Sequence, residues 1–261
     1  MKRVAAALLG ALIAGGAAPW AVVAADPRPA APHEGGPAPP PPTLKIHMIS
    51  GSKEYQSEPS LKGFKAYLEK HFPIACTLSL GQDGGSDLPD LAAMDSSDLL
   101  VIFCRRMKLP ADQLDRIKKW FEAGKPALGI RTSSHAFQGW LEMDKTVFGG
   151  SYRGHGGGED VQVRLEEKNK DHLILAGVRE WVRPGKLYHN AANAADTVTL
   201  LAGTGQKSGK TEPIAWCRVY NQAKDARCFY TSMGYPHDFE NENFKTLLVN
   251  AVYWATKRQK P

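Results

Sequence analysis

The chain has little cysteine and lacks the short motifs that mark several common kinds of site. Its 261 residues include four cysteines, and none of them has the Cys-x-x-Cys spacing of a structural zinc site. Four cysteines are also few for a fold held together by disulfides. No Gly-x-Ser-x-Gly elbow is present, which argues against a serine hydrolase of that type.

The cysteines fall in strand-like segments. Cys76 and Cys104 lie in apolar runs and are predicted to be buried thiols. Cys217 and Cys228 flank a predicted hairpin turn near residues 221–225. A symmetric register would place these two opposite each other, and in an oxidising compartment they could then pair. The sequence leaves the register, and therefore the pairing, open.

The N-terminus has the three-part organisation of a secretory signal. Lys2 and Arg3 precede an apolar run over residues 4–18, and small residues follow at 23–25. This pattern predicts a signal peptide over residues 1–25. A transmembrane anchor is the alternative, but the run is short and broken by glycine and proline. We therefore expect an exported protein, periplasmic or extracellular, with no stable transmembrane segment after cleavage.

Composition then divides the rest of the chain into two parts. Residues 26–42 are rich in Pro, Ala and Gly and end in four consecutive prolines, which predicts a disordered, extended linker. Residues 43–261 contain neither a second linker nor an internal repeat, and their length suits one large domain.

Positive charge is in modest excess, with a net charge of +6 and a pI of about 9.1. The basic residues are scattered, and the clustered ones at 118–119 and 257–258 are interpreted as solvated helix faces. Because export also argues against a nucleic-acid role, we expect no nucleic-acid partner.

Hydrophobic periodicity alternates between strands and helices in the first part of the domain. Strands are predicted over residues 45–49, 74–80, 99–104 and 126–130, and helices over 61–72 and 110–123. Ser133 or Ser134 is predicted to cap a further helix running through Trp140. This alternation predicts an α/β domain with a parallel sheet and helices on both faces.

The second part changes character. Strands are predicted over residues 161–165, 198–201, 214–220 and 227–232, without long helices between them, and a strong helix is predicted over 244–255. These strands either extend the sheet or form an antiparallel ribbon.

Ligands of open α/β sheets bind beyond the carboxyl ends of the strands. This rule selects three loops, at residues 50–55, 105–106 and 131–135, and the resemblance described below adds a fourth at 232–238.

A glycine-rich stretch contributes another candidate. Residues 148–158 contain six glycines, which permit unusual backbone angles and close approach of a ligand. His155 lies between glycines in this predicted loop and is a candidate general base, acid or metal ligand. The stretch does not join a strand directly to a helix, so it is not a dinucleotide-binding fingerprint.

Residues 204–211 (TGQKSGKT) end like a phosphate-binding P-loop. Thr204 stands where the first glycine belongs, however, and a strand-like run follows where a helix is required. We therefore reject a nucleotide-binding role for this segment.

Four segments together resemble the ThuA-like (trehalose utilisation) family of the class I glutamine amidotransferase-like superfamily. They are residues 50–55, 129–137 (GIRTSSHAF), 149–155 (GGSYRGH) and 231–239 (TSMGYPHDF), the last leading into 250–255. Their order and spacing extend over nearly all of the chain after residue 43. The resemblance implies a flavodoxin-like, amidotransferase-like three-layer sandwich with a mostly parallel sheet. It also implies sugar catabolism, of the trehalose or 3-keto-glycoside type.

The chain departs from that superfamily at two positions. Amidotransferases carry a nucleophilic cysteine directly after the Gly-Ile pair, where this chain has Arg131. No glutamine amidotransferase activity is expected without that thiolate. Family members often carry a histidine where Tyr235 stands, and here His237 follows two residues later.

Arg131 can be interpreted in two ways. Its guanidinium can hold an anionic or polyhydroxyl ligand through bidentate hydrogen bonds. Alternatively, it pairs with a buried carboxylate and stiffens the fold.

These considerations lead to a set of candidate site residues. The candidate catalytic residues are His155, His135 and His237, and the candidate substrate-binding residues are Arg131, Tyr152, Glu54, Arg105 and Tyr235. If the three histidines converge, they could bind a divalent metal. The expected partner is a small-molecule sugar.

Three functions remain open on the sequence. The first is a sugar-processing lyase, isomerase or hydrolase that uses acid–base or metal-assisted chemistry. The second is a non-catalytic carbohydrate-binding accessory protein, which needs no poised base. The third, an amide or ester hydrolase, is disfavoured because the nucleophile is missing.

Overall fold

The computed structural model describes residues 43–190 and 192–261. The predicted signal peptide and Pro-rich linker lie outside the described residues. No helix within the described ranges is long and apolar enough to span a membrane.

The described residues form an α/β domain with one nine-stranded sheet. The strands are β1 (Leu44–Gly51), β2 (Ile74–Leu80), β3 (Leu99–Cys104), β4 (Ala127–Ile130), β5 (His155–Leu165), β6 (Trp181–Tyr188), β7 (Val198–Gly205), β8 (Thr211–Asn221) and β9 (Ala226–Thr231). The helices are α1 (Ser57–His71), α2 (Ala111–Glu122), α3 (Pro236–Glu240) and α4 (Glu242–Thr256).

The sheet is mixed, in the order β2-β1-β3-β4-β9-β8-β7-β5-β6. The pairings from β2 through to β9 are parallel, and those from β9 through to β6 are antiparallel. The second part of the chain therefore extends the sheet, which was one of the two arrangements that its strand pattern allowed. Half of the strand pairings are antiparallel as a result.

Both faces of the central parallel strands are buried. In β3, Val101 and Phe103 pack into one hydrophobic cluster, whereas Leu100 and Ile102 pack into a second. The first cluster includes the apolar faces of α1 and α4, and the second includes that of α2. Because side chains alternate along a strand, these clusters lie on opposite faces of the sheet.

The helix predicted after Ser133 is absent, and that prediction was wrong. A short 3-10 turn over Arg131–His135 takes its place. The chain beyond this turn pairs with the loop after β3: Met107 N–H donates to the Ala136 carbonyl, and Gln138 N–H donates to the Met107 carbonyl. These backbone groups are therefore not available for helical hydrogen bonds.

The hairpin between β8 and β9 resolves the question of a disulfide. Cys217 pairs with Phe229, and Cys228 pairs with Arg218. The offset of one residue sends the two thiols to opposite faces of the sheet, and each belongs to a different hydrophobic cluster. All four cysteines are free and buried.

The P-loop-like segment is a hairpin turn between β7 and β8, in which Thr204 pairs with Thr211. The Glu159 carboxylate accepts hydrogen bonds from the backbone N–H groups of Lys207 and Ser208. These N–H groups are thus occupied by the protein itself, in agreement with the rejection of a nucleotide site.

Candidate functional site

His155 is the first residue of β5, whereas the glycine-rich sequence predicted a loop. It pairs with Tyr188 of β6, and the register is irregular between His155 and Gly158. The exposed ring hydrogen-bonds through Nδ1 to the Gly156 carbonyl at 2.9 Å. A carbonyl can only accept, so Nδ1 carries the proton and Nε2 of the neutral ring keeps its lone pair.

Tyr188 lies at the centre of an aromatic group that we call the Tyr188 cluster, formed by His135, Tyr152, Tyr188 and His155. The ring centres of Tyr152 and Tyr188 are 4.5 Å apart. The His135 ring stacks on Tyr152 at 4.8 Å and lies 6.4 Å from Tyr188. The His155 ring stacks on Tyr188 at 6.2 Å. Two of the three candidate histidines therefore lie around one buried tyrosine.

His135 is held in the neutral form. Burial is the main cause, and together with the nearby Arg105, Arg106 and Arg131 guanidinium groups it lowers the pKa of His135 to about 4. Its Nδ1 lies 3.0 Å from the Ser134 hydroxyl. At neutral pH the ring is therefore an uncharged hydrogen-bonding group in a positive environment.

Arg131 occupies a strained elbow at the end of β4, with a φ of 46°. Its side chain is fully buried, and its guanidinium carbon lies 4.1, 4.5 and 4.2 Å from the ring centres of Tyr55, Tyr188 and Tyr235. Nη1 donates to the Ser232 carbonyl. Cation–π contacts of this kind are favourable when the cation is desolvated.

The surroundings of Arg131 fit neither interpretation completely. Within the described residues, no carboxylate oxygen lies within 4.0 Å of the guanidinium, so the buried ion pair is absent. Its Nε and Nη2 atoms are buried without a hydrogen-bond partner. Full burial also means that a ligand reaches the guanidinium only if a surrounding tyrosine moves.

The position of Tyr235 is set by a buried ion pair that the sequence did not reveal. Arg183 donates from Nε and Nη2 to the two carboxylate oxygens of Asp238, at 2.6 and 2.8 Å. Asp238 Oδ2 also accepts the backbone N–H groups of Gly234 and Tyr235, both at 2.8 Å. Because Arg183 lies in β6, this pair connects the loop after β9 to the far strand of the sheet.

His237 lies apart from the other two candidate histidines. Its ring stacks on Tyr235 at 5.3 Å, and Nε2 donates to the Pro184 carbonyl at 3.0 Å. No contact joins it to the Tyr188 cluster within the described ranges. Across the described part of the chain, no three His, Cys, Asp or Glu side chains form a group suited to a metal ion.

Arg105 and Glu54 lie at the loops after β3 and β1. Arg105 pairs with Asp83 at 3.2 Å and with Glu54 at 3.8 Å, and all three side chains are partly exposed. Arg106, also at positive φ, is exposed to solvent. Arg105 and Arg106 provide positive charge near His135, and Glu54 offsets part of it.

A cavity of about 530 Å³ adjoins the Tyr188 cluster. Its lining includes Ser134, His135, Asp144, Ser151, Tyr152 and Arg153. Burial raises the pKa of Asp144 to about 6, although Oδ2 accepts the Tyr152 backbone N–H at 3.1 Å. No sequence pattern marks Asp144 as a buried carboxylate, and sequence reasoning therefore missed it.

The comparisons with known proteins agree with this architecture. A ThuA-like protein from Parabacteroides merdae superimposes with a TM-score of 0.63 at 18% identity, over 84% of this chain and 92% of that one. A ThuA-like protein from Bacteroides uniformis gives a TM-score of 0.61 at 17% identity, over 85% and 95%. The described domain therefore has the α/β fold of ThuA-like proteins.

The sequence identifies the family more directly. Residues 45–255 match the ThuA family, which is described as trehalose utilisation. The chain belongs to the ThuA family. No curated protein matches it significantly.

Proposed function

We propose that this protein processes a carbohydrate by acid–base chemistry at the Tyr188 cluster. The observation that carries the proposal is that the exposed His155, whose Nδ1 donates to the Gly156 carbonyl, and the neutral His135 lie against the same tyrosine, Tyr188. The family description, trehalose utilisation, supports a sugar as the substrate class. The 3-keto-glycosides implied by the sequence resemblance are the substrates that suit this chemistry best.

His155 is the proposed base. Its Nε2 would take a proton from the carbon beside the keto group, and the C–H electron pair would move into the carbonyl to form an enolate. When the carbonyl re-forms, the enolate electron pair can make a double bond to the adjacent carbon and break its bond to the glycosidic oxygen, which takes the proton held by His155 and leaves as an alcohol; this gives a lyase product. Return of the proton to a carbon of the enolate gives an isomer instead. The exposure of His155 keeps this nitrogen accessible to a ligand.

The positive surroundings would stabilise the enolate. Arg105, Arg106 and Arg131 lie near enough to His135 to disfavour its protonation. The same field favours a negative charge that develops on a ligand bound beside this ring. Neutral His135 and the Tyr152 ring would orient the sugar by hydrogen bonding and stacking.

A non-catalytic sugar-binding protein is the second candidate. The four adjoining rings of the Tyr188 cluster favour it, because aromatic faces bind sugars without any need for proton transfer. In that case the hydrogen-bonding capacity of His155 would serve affinity alone.

A single substitution separates the two candidates. His155→Gln keeps a side chain of similar reach but removes the base. If the protein is an enzyme, this variant should bind a 3-keto-glycoside with a Kd close to that of the wild type and lose about 100-fold or more in turnover. His71→Gln, at the exposed end of α1, is the matched control. No turnover by the wild type, with measurable binding, would favour the binding protein.

We further propose that the chain is exported and that its domain has the flavodoxin-like, three-layer arrangement. The order β2-β1-β3-β4-β9 of the parallel strands supports this arrangement.

N-terminal sequencing of the secreted protein, expressed in a bacterium with an outer membrane, tests the export. A mature N-terminus near Asp26 is expected, whereas retention of Met1 in the cytoplasm would contradict the proposal.

A further inference from the structure

Arg131 and Arg183 are both buried, but their guanidinium groups differ in the hydrogen bonds that they form. Arg183 uses its Nε–Nη2 edge to bind both carboxylate oxygens of Asp238. Arg131 presents the same edge, but its Nε and Nη2 atoms have no hydrogen-bond partner in the described structure. Nη1 donates to the Ser232 carbonyl, and the Tyr55 side chain also interacts with the guanidinium. The edge that best matches a carboxylate is therefore free in Arg131 and filled in Arg183.

The charge of Arg131 is also unbalanced. Buried cations are normally paired with an anion, because an isolated charge is costly to desolvate. Three tyrosine faces surround the guanidinium and compensate part of this cost. They are uncharged at neutral pH, however, and no carboxylate in the described part of the chain lies within ion-pair distance. An incoming anion would supply both the missing charge and the missing acceptors.

The surrounding rings differ in how firmly they are enclosed. Tyr55 and Tyr188 are almost completely buried, whereas Tyr235 is partly exposed. The backbone of Tyr235 is held by Asp238, so rotation of its side chain would uncover Arg131 without any movement of the loop. Side-chain rotations of this kind are fast compared with ligand binding.

We propose that Arg131 binds the carboxylate of an acidic sugar, such as a uronate or an aldonate, through its Nε–Nη2 edge after Tyr235 rotates aside. This inference rests on the proposed function, because Arg131, His135 and His155 all contact the same ring, Tyr188. It narrows the substrate class from sugars in general to sugar acids. A carboxylate anchored on Arg131 would leave the rest of the ligand beside the Tyr188 cluster.

The test compares glucuronate with glucose by calorimetry on the full mature chain. Arg131→Asn removes the charge, and asparagine tolerates the left-handed backbone of this elbow better than most residues. Glucuronate should bind the wild type at least about 10-fold more tightly than glucose, and the variant should lose this preference. Arg179→Gln, an exposed arginine on another part of the surface, is the charge-matched control.

A second variant keeps the proposal testable if Arg131→Asn does not fold. Tyr235→Ala removes the partly exposed ring over the guanidinium and should strengthen glucuronate binding, while glucose binding stays the same or weakens. Equal affinity for glucuronate and glucose in both the wild type and Tyr235→Ala would overturn the inference. So would a preference for inorganic phosphate over glucuronate.

The acid–base function and the carboxylate site on Arg131 can be refuted independently of each other. Turnover of a neutral keto-sugar without any preference for glucuronate would sustain the acid–base function and refute the carboxylate site. Selective glucuronate binding that survives in His155→Gln, with no turnover of any sugar, would do the reverse.

Discussion

The guanidinium carbon of Arg131, in the elbow after β4, lies 4.5 Å from the ring centre of Tyr188. Tyr188 in turn contacts the rings of His135, Tyr152 and His155. One ring therefore joins the buried cation to the candidate acid–base groups. The elbow after β4 therefore packs against the central ring of the candidate site.

This relationship predicts that the ring of Tyr188 matters more than its hydroxyl. Tyr188→Leu should lower the free energy of unfolding by about 3 kcal/mol, because it removes a buried ring and a cation–π contact. Tyr188→Phe keeps the ring and should cost only about 1 kcal/mol. Urea unfolding measures both values. Equal losses in the two variants would show that the aromatic contact with Arg131 contributes little.

The ion pair between Arg183 and Asp238 should be a strong determinant of stability. Asp238→Asn leaves the Arg183 charge buried without a partner, and we expect a loss of about 3–5 kcal/mol in urea unfolding. The exposed pair of Glu58 and Lys62 is the control, and Glu58→Gln should change stability by less than about 0.5 kcal/mol. A cost below about 1 kcal/mol for Asp238→Asn would contradict the account of this loop.

His47 should make stability depend on pH. The ring is fully buried in β1, where Nδ1 and Nε2 contact the hydroxyls of Thr77 and Ser79 at 2.8 and 3.1 Å. The Ser79 hydroxyl donates to the Pro89 carbonyl, so Nε2 carries the proton and Nδ1 accepts from Thr77. Burial lowers the pKa of His47 from 6.5 to about 4, so the folded state holds the neutral ring.

The sign of the pH effect follows from proton uptake. Between pH 6.5 and 4 the unfolded state binds more protons at this position, so the free energy of unfolding falls as pH falls. The stability difference between the wild type and His47→Gln should be constant above pH 7 and should shrink by about 3 kcal/mol on acidification to pH 4. Urea unfolding at several pH values measures it. A difference that does not change with pH would refute the assignment of a neutral buried histidine.

All four cysteines should be unreactive in the folded protein. Burial raises the pKa of Cys76 and of Cys217 to about 12, and it raises the pKa of Cys104 and Cys228 further. A thiol reagent at pH 8 should therefore modify less than about one thiol per chain until denaturant is added. Four thiols should then react without any reductant, because Cys217 and Cys228 face opposite sides of the sheet. A count of two would reveal a disulfide and contradict the register.

Local sequence patterns predicted the elements that depend on local apolar runs. The predicted bounds of β2 and β3 agree with the structure to the residue, since alternating apolar residues mark β2 and a continuous apolar segment marks β3. β6 was missed because Pro184 and Gly185 interrupt it, and such residues are tolerated at the edge of a sheet. The prediction of a helix after Ser133 was wrong, because Ala136 and Gln138 form backbone hydrogen bonds with Met107 instead of helical ones.

The residues of the candidate site were predicted only in part, because some of them are brought together by contacts between distant segments. His135, His155 and Tyr152 were recognised from their loops and motifs, and the structure brings them together. Tyr188 and Asp144 were missed, because their roles depend on contacts between distant segments. The three tyrosines around Arg131 come from the ends of β1, β6 and β9, which no local pattern relates.

The proposed function depends on the removal, by His155, of a proton from a carbon beside a keto group. The most direct measurement is hydrogen–deuterium exchange of a 3-keto-glucoside in D2O, followed by NMR. We expect the wild type and His71→Gln to incorporate deuterium at that carbon well above the buffer rate, and His155→Gln to fall to near that rate. Exchange no faster than in buffer for the wild type, or undiminished exchange in His155→Gln, would contradict the account.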